Sequence, residues 1–123
     1  MDELYFFDGQ PEAMELYERF KERVLEELED VQIRVQKTQI TFSGRHIFAC
    51  VSFLRVRKKK EMPPFYIVVT FGLNRQLDSP RIAGKTEPYR NRWTHHVVVG
   101  RREEIDEELM GWVREAYEFA RMK

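Results

Sequence analysis

The chain has 123 residues, of which 42% are hydrophobic and 34% charged, and its 21 Lys and Arg balance 21 Asp and Glu. This is the composition of a single globular domain spanning 1–123, long enough to form a core without disulfides or a structural metal. The zero net charge conceals segments: residues 1–30 hold eleven acids and three bases, 31–102 hold fifteen bases and three acids, and 103–123 hold seven acids and three bases.

The first residues show no basic region followed by an apolar one, and no apolar run approaches the ~20 residues that span a bilayer. With one cysteine, Cys50, and no CxxC pair, the expectation is a cytoplasmic protein with no membrane partner. Pro11 suits a first helical position, and Leu16, Tyr17, Phe20, Val24 and Leu28 follow at helical spacing, which predicts a helix over 11–29. Its glutamates fall on the opposite face. From Val31 the period becomes two: strands are predicted at 31–36, 39–42, 46–57, 65–71 and 93–99. Pro63 and Pro64 require a loop between the third and fourth, and Pro80, Gly84 and Pro88 mark 72–92 as a long connection. A last helix is predicted over 106–122, with Asp106 as N-cap and Ile105 and Met110 as a hydrophobic staple.

The order α-β-β-β-β-β-α predicts an α+β two-layer sandwich: a five-stranded, mostly antiparallel meander with both terminal helices on one face. In that meander Lys58–Lys60 and Arg101-Arg102 share one end, and Arg45, Arg75, Arg81, Arg90 and Arg92 the other. Glu26, Glu27, Glu29 and Asp30 then lie beside the second cluster, and 103–108 beside the first, so pairing across the layers would neutralise much of the basic middle. The alternative is a basic surface left free. The third and fourth strands read as apolar on both faces, so something must cover the outer one: the 72–92 connection folded back, or a second subunit or partner domain.

Two segments suggest anion chemistry. Lys58-Lys59-Lys60 is a run of the kind that contacts phosphates, and equally one that guards a hairpin end against edge pairing. Tyr89 to His96 interleaves arginines with aromatics, which suits an anion or a stacked base, or a structural cation–π contact. His95 and His96 point to opposite faces and cannot share a site. No HxxxH or CxxC spacing supports a metal site, no nucleotide or hydrolase motif is present, and no cofactor is expected. Cys50 stands within an apolar run where a thiol is ordinarily inert, so no catalytic set is assigned.

Lys37-Thr38-Gln39-Ile40-Thr41-Phe42, Phe48-Ala49, Leu77-Asp78-Ser79-Pro80-Arg81-Ile82, Arg92-Trp93-Thr94-His95-His96, and Ile105-Asp106-Glu107-Glu108-Leu109 with Trp112 and Glu115-Ala116-Tyr117 span nearly the whole chain. With these motifs it resembles a small, mostly bacterial family, the domain of unknown function numbered fifty-six fifty-five. The resemblance implies an α+β domain, sometimes joined to nuclease-like modules in proteins loosely labelled as transport-related, and it implies no reaction. The functional expectation is a noncatalytic binding or accessory domain for an anionic small molecule or nucleic acid. Arg81, Arg90, Arg92, Trp93 and His95 are its candidate ligand contacts, and Lys58, Lys59 and Lys60 its candidate phosphate contacts. A homodimerisation or protein-interaction module using the outer sheet face is the alternative.

Overall fold

The computed structural model describes residues 2–123. A single-turn helix, α1 (Glu3–Phe6), is capped by the Asp2 carboxylate, which accepts the Tyr5 N–H. Helix α2 (Pro11–Glu27) begins on a proline whose missing N–H would have gone unpaired in any case. It buries Ala13, Leu16, Tyr17, Phe20 and Val24, the residues on its three- and four-step face. The helix ends two residues short of the predicted boundary, because Leu28 is already extended. Asp30 then takes a left-handed φ of 54°, which a short polar side chain tolerates, and turns the chain into the sheet.

The sheet corrects the predicted strand count from five to six. Strands β1 (Gln32–Val35), β2 (Gln39–Ser43), β3 (Ile47–Ser52), β4 (Ile67–Leu73), β5 (Ile82–Tyr89) and β6 (Arg92–Val99) are antiparallel to their neighbours in the order β1-β2-β3-β4-β6-β5. The additional strand, β5, lies within the expected 72–92 connection, where Gly84 and Pro88 obscure its pattern. It is an edge strand, and its ladder shifts register between Ile82 and Gly84 and between Thr86 and Tyr89. Edges and bulges are the places where a sheet tolerates both residues. The predicted strand over 46–57 stops at Ser52, whose hydroxyl accepts the Leu54 N–H and turns the chain away.

Helix α3 (Glu107–Arg121) is capped as predicted, with the Asp106 side chain accepting the Leu109 N–H at 3.0 Å. Both long helices lie on one face. Tyr17 and Phe20 of α2 meet Phe42 of β2, and Trp112 of α3 stacks on Phe71 of β4. Register sets Phe42 beside Ala49, Ala49 beside Phe71 and Phe71 beside His95, so this inner face is one continuous apolar layer apart from the histidine.

One residue further along each strand, the same register produces a different surface. Arg34, Thr41, Cys50, Thr70, His96 and Gly84 form a row across all six strands on the outer face. The outer face is therefore polar at its centre, contrary to the apolar reading of β3 and β4. It is also not covered by the 72–92 connection. Residues 74–81 run back along the inner face, where the Leu77 N–H donates to His95 Nε2. The segment that crosses the outer face is 53–66, which leaves β3 and reaches past β4 and β6 until Arg57 donates to the Pro80 carbonyl at 3.5 Å. Val98, an aliphatic residue of this face, shares a cleft with Arg57, Pro63, Pro64 and Pro80.

Candidate anion-binding face

Charge separates by layer in this fold. The acids of the helices are paired mainly by bases of the helices: Lys21 holds Glu3, Arg23 holds Glu27 and Glu107, Arg114 holds the same two glutamates, Arg19 holds Glu22 and Arg121 holds Glu118. Of the fifteen bases in 31–102, Arg75 and Arg81 have carboxylate partners, and among the described residues the other thirteen have none. The expected pairing across layers is thus limited to Arg75 with Glu115 and to Arg81 with Asp106 and Glu108. The acids at the end of α2 face Arg114 of α3, and those at the start of α3 face Arg81, Arg23 and Arg114, because the two helices pack side by side and reach each other before they reach the sheet's loops.

Arg81 sits at the end of the sheet opposite to the one expected, because β5 carries the chain along the sheet's full length between Arg81 and Arg90. Its guanidinium donates to Asp106 at 2.8 Å, to Glu108 at 3.0 Å and to the Glu104 carbonyl at 2.6 Å, and it lies over the Trp112 ring. Partial burial raises the Asp106 pKa, but the Leu109 N–H and Arg81 outweigh it and hold the carboxyl below its usual range. Arg81 is therefore committed to anchoring α3.

Arg90 is exposed at the β5–β6 turn, about 25 Å along the strand from Arg81. Arg92 lies over the rings of Tyr89 and Phe119 at 5.7 and 5.8 Å. Together with Trp93 and Lys123 these residues line a shallow cleft of about 250 Å³. His95 is fully buried: its Nε2 accepts from Leu77, while Lys85 donates to the Leu77 carbonyl at 3.1 Å. Two side chains thereby satisfy both backbone groups of one buried loop residue. Burial, and then the nearby charges of Lys85 and Arg75, lower the His95 pKa, so at neutral pH the ring is uncharged and able to accept. The five predicted ligand contacts therefore divide among a helix anchor (Arg81), a turn (Arg90), a cation–π cleft (Arg92 and Trp93) and a buried latch (His95). Lys58, Lys59 and Lys60 are exposed on the segment that crosses the outer face, Lys59 and Lys60 within a 3-10 turn.

Sequence reading missed a second cleft, of about 530 Å³, over the polar row of the outer face. Cys50, Thr70 and His96 lie at its floor, and Lys37 and Thr38 of the β1–β2 turn, Gln39 of β2, Phe6, Phe53 and Leu54 also line it. Thr70 Oγ1 and His96 Nδ1 are 2.8 Å apart. Burial lowers the His96 pKa. Burial also raises the Cys50 pKa, a rise only partly offset by a hydrogen bond from Thr70, so this thiol is protonated at neutral pH and a poor nucleophile. The opposed orientation of His95 and His96 signalled that one of them faces outward. The cross-strand register that sets His96 beside Thr70 and Thr70 beside Cys50 left no local signal.

No helix of the described residues is long and apolar enough to cross a membrane, and no group of three or more His, Cys, Asp or Glu among them is placed to hold a metal ion. The family model described as Domain of unknown function (DUF5655) matches residues 4–120. That description names no activity and no transport role. No curated protein and no solved structure matches the chain.

Proposed function

The chain belongs to the family of domains of unknown function DUF5655, and we propose that it is a noncatalytic module that binds nucleic acid through the outer face of its sheet. One observation carries this reading: among the described residues thirteen bases of the middle segment lack carboxylate partners, while most of the helical acids that are paired are held by bases of the helices. Arg34 lies on the outer face itself, Lys37 stands at its rim, and Arg57 and Lys58 to Lys60 belong to the segment that crosses it. Phosphates neutralised by such a surface release condensed counterions, which supplies affinity without base preference. The acidic helices behind it repel phosphates and so orient the domain on a strand.

The test is fluorescence anisotropy of a labelled single-stranded oligonucleotide across a salt series. Affinity is expected to fall steeply as salt rises, and replacing Lys58, Lys59 and Lys60 by alanine is expected to flatten the logarithmic salt slope by about one for each lysine that contacts a phosphate. Absence of binding at low salt would overturn the proposal.

A further inference from the structure

We infer that the cleft over Cys50, Thr70 and His96 seats one unstacked nucleotide of a single strand, an inference that rests on the nucleic-acid reading above and sharpens it. The cleft's volume, about 530 Å³, lies within the range of clefts that hold small ligands. Among the described residues, Lys37 is the one residue on its lining with a formal charge, and no carboxylate lines it. A single ammonium matches the single negative charge of a phosphodiester.

The floor supplies a neutral donor: when Thr70 donates to His96 Nδ1, the other ring nitrogen keeps its proton. Phe6, Phe53 and Leu54 give the same cleft apolar lining suited to the flat face of a base. A base paired within a duplex cannot leave its stack to reach this lining without paying for unpairing, so the site selects single strands.

The experiment compares a labelled ten-residue oligothymidylate with a blunt duplex of the same length at one salt concentration. Wild-type protein is expected to bind the single strand at least tenfold more tightly. Thr70→Val, which keeps the side-chain shape, and His96→Ala are each expected to weaken single-strand binding about tenfold while leaving duplex binding unchanged, as loss of a hydrogen bond to a charged group would. Circular dichroism confirms that both variants are folded. Cys50, the chain's one cysteine, provides a second readout: the oligothymidylate is expected to slow its reaction with a maleimide at pH 8.

Equal affinity for duplex and single strand, or unchanged single-strand affinity in both folded variants, would overturn the nucleotide cleft and leave the basic face standing. Failure of the wild type to bind either oligonucleotide would overturn both.

Discussion

The inner and outer faces of the sheet are built from the same strands yet follow opposite rules. On the inner face Phe71 stacks between His95 and Trp112, and helices cover nearly every neighbour. One residue earlier, Thr70 faces outward among Cys50 and His96, with a cleft in front of it. Charge follows a similar division, since the helix layer keeps an excess of acids while Arg34 and Lys37 stand on or beside the open face without carboxylate partners among the described residues. A sheet with one side buried has its register set by that side, which leaves the other side free to carry a binding surface at little cost to stability.

The sharpest test of this contrast substitutes adjacent residues of β4. Phe71→Ala removes a ring from a packed stack and is expected to cost about 3–5 kcal/mol. Thr70→Val should cost less than about 1 kcal/mol, since it changes a partly exposed position at constant volume. Comparison of their urea midpoints measures the difference. Similar losses for both would mean that the outer face also contributes to the core.

Arg81 comes next, a base of the sheet's loops drawn into the helix layer by three hydrogen bonds. Arg81→Met removes two carboxylate contacts and one carbonyl contact at the start of α3. Because Asp106 and Glu108 are themselves about half exposed, solvent screening limits the expected loss to about 1–2 kcal/mol, read as a lower melting temperature. Lys58, Lys59 and Lys60 are the opposite case. Their triple alanine variant is expected to melt within about 0.5 kcal/mol of wild type while its salt-dependent binding changes.

Acidification affects the two layers in separate windows. Burial lowers the pKa of both His95 and His96 below that of the unfolded chain, so between the folded values and about pH 6.5 the unfolded state binds more protons. Stability is therefore complete above about pH 6.5 and declines as pH falls through that window. The carboxylates held low by arginines, Asp106, Glu107 and Glu115, lose their contribution only under more acidic conditions. His95→Gln retains an acceptor for the Leu77 N–H and cannot titrate, so its melting temperature should vary less between pH 7.5 and 5.5 than that of wild type. Identical slopes for the two proteins would exclude His95 as a source of the dependence.

The elements with a strong local pattern were legible in the chain: the α2 face from Leu16 to Val24, the alternation in β1 and β6, the Asp106 cap, and the opposite orientations of His95 and His96. Each depends on interactions within a few residues. β5 was not legible, because Gly84 and Pro88 read as breakers until an edge position with a shifted ladder accommodates them.

Sequence by itself therefore determined an α+β domain with terminal helices, and a basic middle between acidic ends. Only the tertiary structure decided which bases remain unpaired and where they gather. Arg81 was drawn to Asp106 because β5 carries it to the far end of the sheet, and Thr70 met His96 and Cys50 because antiparallel register set them side by side. Partners so far apart in the chain leave no local periodicity, since their proximity arises only when strand order and register are fixed by burial of the opposite face.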